Sequence, residues 1–199
     1  MGHVIGLLGG VAAGKSTVAA CLARAGWLVL DADRLAREVV ARPDVLAALE
    51  QRFGPTIRGP DGALDRPALA ALAFADPGAT AELNALVHPA VRAELEARLE
   101  AAGARPVVLD VPLLLESPLA GRVHTWVFVE SPEAAREARA LDRDWSPGER
   151  ARREALQASL AAKRARADVV LENSGTIDDL EQQVTALLER LPTSDPPSA

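Results

Sequence analysis

Near its start the chain passes from a short apolar stretch, Val4-Ile5-Gly6-Leu7-Leu8, into Gly9-Gly10-Val11-Ala12-Ala13-Gly14-Lys15-Ser16, then into a helical pattern. The spacing is G-x-x-x-x-G-K-[ST], in the strand–turn–helix context the motif requires. Gly9 and Gly14 can take backbone angles that other residues resist, so successive N–H groups can turn inward around phosphate oxygens. The helix that begins at Lys15 adds positive potential at its N-terminus. Lys15 is expected to reach the β- and γ-phosphates of a nucleotide as a compact point charge, and Ser16 to offer its hydroxyl to Mg2+. Thr17 continues the helix and can add a phosphate contact. Of the 22 basic residues only Lys15 and Lys163 are lysine. With lysine so scarce, a chance match to the motif is on the order of one in a thousand.

Five apolar segments read as buried parallel strands: Val4 to Leu8, Trp27 to Leu30, Val107 to Leu109, Thr125 to Val129, and Val169 to Leu171. Each is short, rich in Val, Leu or Ile, and continuous rather than alternating, as parallel strands covered on both faces are. Helical stretches separate them: Lys15 to Ala25, a long region from Pro43 to Ala102, Pro132 to Leu141, Pro147 to Arg166, and Ile177 to Leu191. The alternation predicts an α/β fold with a mostly parallel sheet. The chain between the second and third strands is far longer than a crossover needs, so residues 34–102 are expected to form a helical insertion at the sheet's edge. Its prolines and glycines, including Pro43, Gly54-Pro55, Pro67, Pro77 and Pro89, are expected to cut it into several short helices. The Pro/Ser-rich residues 192–199 are expected to be a disordered tail.

The chain has 199 residues, a net charge of −6 and one cysteine, Cys21. An acidic chain makes a general nucleic-acid binder a poor fit. No apolar run approaches the roughly 20 residues of a membrane helix, and Met1-Gly2-His3 has no basic, cleavable leader pattern. A lone cysteine permits no intrachain disulfide and no cysteine-built metal cluster. A reducing, cytoplasmic setting is the simplest expectation; a monomer or weak homo-oligomer is also expected, though the sequence itself does not give the oligomeric state.

Three classes of phosphate-loop protein compete: GTPase switch, ATP hydrolase and small-molecule kinase. The Asn-Lys-x-Asp of guanine-specific proteins is absent, since Lys163 follows Ala162. The third strand ends in Asp110, a candidate Mg2+ carboxylate, but Val111-Pro112 follows where ATP hydrolases often carry a water-activating glutamate. A kinase supplies a hydroxyl acceptor instead of water. The second strand ends Asp31-Ala32-Asp33, at the strand ends that face the ligand crevice of a doubly wound sheet. If the segment stays extended, both carboxylates share a side. Asp33 could then accept the proton of an attacking hydroxyl, or could instead cap the helix that follows. Residues 136–166 carry nine basic residues against five acidic ones. Such a segment suits a lid whose arginines close over phosphates and exclude water, or a solvated helix pair with internal ion pairs.

Several motifs beyond the phosphate loop resemble the dephospho-CoA kinase family. They are Asp31-Ala32-Asp33, Asp61-Gly62-Ala63-Leu64-Asp65-Arg66 followed by Leu69 and Phe74, His88-Pro89, and Val111-Pro112-Leu113-Leu114-Leu115-Glu116. Gln157, Lys163, Ala167-Asp168 and Asn173-Ser174-Gly175 continue the resemblance to the end of the chain. The chain departs from the family at Leu8, commonly threonine, at Ala12-Ala13, commonly Gly-Ser, and in the lid around Trp145-Ser146-Pro147-Gly148. The resemblance implies a P-loop NTPase fold and transfer of the ATP γ-phosphoryl group to the 3′-hydroxyl of dephospho-CoA. It implies Asp33 as general base, with Lys15 and a lid arginine, Arg143, on the phosphoryl group and Arg139 on the substrate, although the departure in the lid leaves Arg139 as the alternative to Arg143. Asn173 and Gly175 would lie against adenine, while Arg66, His88, Leu113 and Glu116 would form the dephospho-CoA side. A kinase of another nucleoside or small alcohol, and a slow nucleotide-dependent switch, remain the alternatives.

Overall fold

A computed structural model describes residues 2–143 and 145–191. The expected tail, 192–199, and Asp144 lie outside the described residues. The chain divides into two compact units, one holding the described residues of 1–31 and 99–199, the other residues 32–98.

The first unit is built on five parallel strands: β1 (Val4–Gly9), β2 (Leu28–Asp31), β3 (Val107–Asp110), β4 (Thr125–Glu130) and β5 (Val169–Glu172). Their order is β2-β3-β1-β4-β5. All six residues of β1 are buried, which explains why it reads as a continuous apolar run. Helices α1 (Lys15–Arg24) and α9 (Ile177–Arg190) pack on each other. Val18, Leu22, Leu180, Val184 and Leu187 meet Ile5, Leu7, Val108, Val127 and Leu171 in the main core. Burying each of these side chains stabilises the fold by about 1.5–3 kcal/mol. The start of α9 is set by reciprocal caps: Thr176 Oγ1 accepts the Asp179 N–H and Asp179 Oδ2 accepts the Thr176 N–H. The remaining helices of this unit are α6 (Glu133–Leu141), α7 (Glu149–Ala155) and α8 (Leu160–Arg166), with α8 lying against β1 and β4.

The second unit contains α2 (Ala32–Val39), α3 (Pro43–Phe53), α4 (Arg66–Ala73) and most of α5 (Pro77–Ala101). Prolines sit in the first turn of α3, α4 and α5, where the missing N–H costs nothing. Asp65 caps α4, its Oδ1 accepting the Ala68 N–H at 2.9 Å.

Three expectations change. Pro89 does not cut the insertion; it lies inside the 25-residue α5. An interior proline costs about 3 kcal/mol, but Val87, Val91 and Leu95 are buried along one face, and Ala85, whose carbonyl loses its partner, is exposed to water. The stretch from Pro147 to Arg166 is two helices, because Ser159 caps a fresh start, its Oγ accepting the Ala162 N–H at 3.1 Å. The segment after β2 does not stay extended. Helix α2 begins at Ala32, so Asp33 lies in its first helical turn.

Candidate functional site

The turn between β1 and α1 has the left-handed backbone the motif demands. Gly14 has φ +96°, and Ala12, at φ +62°, is the only non-glycine with positive φ among the described residues. Gly14 thus accounts for its glycine directly, whereas Ala12 carries strain of about 1–3 kcal/mol that the surroundings must hold.

Side chains from four elements hold this turn. Lys163 Nζ, from α8, donates to the Gly9 carbonyl at 3.3 Å. Arg139, from α6, donates to the Ala12 carbonyl at 3.3 Å, to Ser131 Oγ at 2.8 Å and to the Asn173 carbonyl at 3.3 Å. Asn173, just after β5, donates its amide to the Ala13 carbonyl at 2.8 Å. Glu154, from α7, accepts the Val11 N–H at 3.1 Å. Among the described residues all peptides are trans. A carbonyl tethered on one side therefore points the next residue's N–H to the other side. These contacts fix the peptides that carry the Gly10, Ala13 and Gly14 N–H groups, and the Ala13 N–H itself donates to the Gly10 carbonyl at 3.2 Å.

Lys15 is half-buried and Ser16 exposed, in the first turn of α1, where no acidic residue offsets the helix dipole. Thr17 is half-buried one residue further on. Asp110 and Asp31 pair in register at the ends of β3 and β2. That sets two carboxylates on neighbouring strands about 4.8 Å apart in backbone spacing. Among the described residues no group of three or more His, Cys, Asp or Glu could hold a metal. Ser16 and Asp110, if both served an ion, would be too few to hold it alone. They fit a hard ion that arrives on phosphate oxygens and keeps several waters.

The arginine-rich segment is neither free nor fully solvated. Arg150 and Arg136 are each only 5% exposed. Arg150 donates to Glu137, Glu154 and Glu133 at 2.6, 2.7 and 2.8 Å, and Arg136 to Glu154 at 2.5 Å. Burial would raise the Glu154 carboxyl, but bonds from Arg136 and Val11 and the charges of both arginines hold it below the usual carboxylate range. Arg143 is exposed in the turn that follows α6. Of the two candidate lid arginines, Arg139 is the one tied to the phosphate loop.

Other expected residues divide between the units. Leu113 is exposed and Glu116 accepts the Ala158 N–H at 3.2 Å, in the first unit after β3. Gly175 has a local reason to be glycine: a Cβ there would stand 2.6 Å from the Asp179 carboxylate that caps α9. In the second unit, Arg66 and His88 line one cleft of about 280 Å3 with Arg37, Val40, Leu69 and Val87. Arg66 is held by the Arg37 carbonyl at 2.6 Å. His88 sits within α5, so it caps no helix. Asp33 is exposed in the same unit.

Sequence reasoning did not assign Glu154 or Arg136 a place at the loop, and left Lys163 without a role. Lys163 is 4% exposed, so the alternative of a solvated helix pair for residues 136–166 does not hold at this residue. Its scarcity was the available signal. For Glu154 the signal was its i,i+4 spacing from Arg150.

A family model described as dephospho-CoA kinase matches residues 3–179. A dephospho-CoA kinase from Leifsonia xyli subsp. xyli is 46% identical over 193 residues, covering 93% of this chain and 96% of the relative. One from Deinococcus radiodurans is 45% identical over 191 residues, covering 94% and 91%. Among solved structures, a Thermus thermophilus protein aligns with a TM-score of 0.76 at 39% identity, covering 96% of this chain and 99% of that one. The dephospho-CoA kinase from Campylobacter jejuni shares the fold, with a TM-score of 0.72 at 20% identity over 94% of this chain and 96% of that one.

Proposed function

The chain belongs to the dephospho-CoA kinase family, and we propose that it transfers the γ-phosphoryl group of ATP to the 3′-hydroxyl of dephospho-CoA with Mg2+. The observation that carries this reading is the family match over residues 3–179, which spans the loop, Asp33 and the helical insertion together.

In this reading the loop Gly9 to Ser16, with Thr17, holds the nucleotide phosphates through backbone N–H groups, and Lys15 neutralises charge on the transferring group. Asp33 accepts the proton of the 3′-hydroxyl. Arg139 or Arg143 of the lid, residues 136–166, adds positive charge, and Asn173 and Gly175 border adenine. Arg66, His88, Leu113 and Glu116 bind the acceptor, with the insertion, residues 34–102, as the substrate-binding part. Ser16 and Asp110 would hold a nucleotide-borne Mg2+, which would supply neutralisation of phosphate charge. No helix among the described residues is long and apolar enough to cross a membrane. The reading includes a cytoplasmic enzyme, monomeric or weakly self-associating, with no nucleic-acid partner; the net charge of −6 supports the last point.

The test is ADP release from MgATP with dephospho-CoA, set against a panel of nucleoside monophosphates and a blank without acceptor. Stimulation by dephospho-CoA alone supports the assignment. A rate equal to the blank overturns it, and stimulation by a monophosphate instead reassigns the acceptor.

A further inference from the structure

Lys163 is buried at the base of the phosphate loop, and the proposed chemistry above gives it no task. Its Nζ donates to the Gly9 carbonyl at 3.3 Å and to Gln157 Oε1 at 2.6 Å. We propose that Lys163 is a positioning residue for phosphoryl transfer: it fixes the first peptide of the loop against the Gln157 side chain and keeps a second cation behind Lys15. The proposal rests on the kinase reading for its rate prediction, but not for its prediction about the loop.

The geometry is specific to the loop. Gly9 ends β1, and its carbonyl is the last one before the turn. Through the trans peptide, the contact orients the Gly10 N–H, the first donor of the turn. Gln157 lies between α7 and α8, so one ammonium joins β1 to the link between two lid helices.

The electrostatics give a reason beyond packing. Burial lowers the Lys163 pKa first, and the charge of Lys15 lowers it further. Arg136 of α6 acts in the same sense, while Glu154 of α7 and Glu116 of the turn after β3 oppose it. A buried ammonium facing another cation is costly when alone. A polyphosphate beside Lys15 relieves that repulsion, so the arrangement favours the most highly charged occupant. A lysine kept only for packing would be served as well by methionine, which has similar length and no desolvation cost.

The experiment compares Lys163→Met with the parent enzyme in three readouts. The parent's dephospho-CoA-stimulated rate tests the kinase reading by itself. In K163M, kcat is expected to fall tenfold or more while the Kd for ADP stays within threefold. Without nucleotide, hydrogen exchange across residues 9–14 is expected to rise about tenfold while β4 stays protected. A kcat within twofold of the parent, or loop exchange unchanged, overturns the proposal. So does exchange that rises equally in β4, which would mark a general loss of stability. If K163M does not fold, Gln157→Leu carries the test. It keeps the ammonium and removes one anchor, with an expected threefold rise in loop exchange; no rise overturns the proposal.

Discussion

Glu154 and Arg136 form an ion pair at 2.5 Å directly against the phosphate loop, with the same Glu154 oxygen accepting the Val11 N–H at 3.1 Å. Arg150 takes the other oxygen at 2.7 Å. One carboxylate therefore joins α6, α7 and the loop. Removing it leaves two guanidiniums buried with less compensation, and breaking such a pair from one side costs about 3 kcal/mol. Glu154→Ala is expected to lower unfolding stability by that order in urea titrations. A loss under 1 kcal/mol would show the network to be dispensable.

The same carboxylate sets an acid dependence. Its folded pKa lies below the ordinary 4.5. The stability it contributes is present above the unfolded value and is lost as pH falls through the folded one. Glu154→Gln is expected to flatten the stability profile below pH 4.5 relative to the parent. Parallel profiles would argue against the lowered pKa.

Gly10 is glycine because the ion pair leaves it no room. A Cβ there would stand 2.5 Å from Arg136 Nη1 and 2.7 Å from Glu154 Oε1. Both atoms end long side chains, but both are locked in the network. Gly10→Ala is expected to destabilise by about 1–3 kcal/mol and to weaken ADP binding, measured by titration calorimetry. Unchanged affinity and Tm would mean that the pair moves aside freely.

The roles proposed for Asp33, as base, and Lys15, on the transferring phosphoryl group, separate by the parameter each would control. Asp33→Asn is expected to lower kcat by about 10²–10⁴ with ATP affinity nearly unchanged, because the base acts on the acceptor hydroxyl. Near-normal turnover removes Asp33 as base. Lys15→Arg retains charge but substitutes a bulkier, planar head. It is expected to lose most activity, although arginine is this chain's usual cation.

At the opposite end of the strands, Val4 N–H donates to His124 Nδ1 at 3.0 Å and His3 Nε2 meets Thr125 Oγ1 at 2.8 Å. Burial, then the His124 charge, lowers the His3 pKa below 6.5. The lowered pKa means stability present above 6.5 and lost as pH falls through the folded value. Stability is expected to decline between pH 7 and 5, and less so in His3→Gln. An identical slope would remove His3 as a source.

The sequence by itself determined the five strands and the phosphate loop, because both are local. A buried parallel strand must be a continuous apolar run, and a loop around phosphate needs Gly14 where φ is +96°. It also determined the family, since that is carried by residue identity at spacings along the chain. Only the tertiary structure decided which cations serve the loop. Arg139 and Lys163 reach the Ala12 and Gly9 carbonyls across more than a hundred residues of chain, while Arg143, one helical turn beyond Arg139, is exposed. Spacing along a chain cannot rank such side chains, because a carbonyl is chosen by proximity in space. Pro89 makes the same point in reverse. Its local cost predicts a break, and the buried face of α5 overrides it.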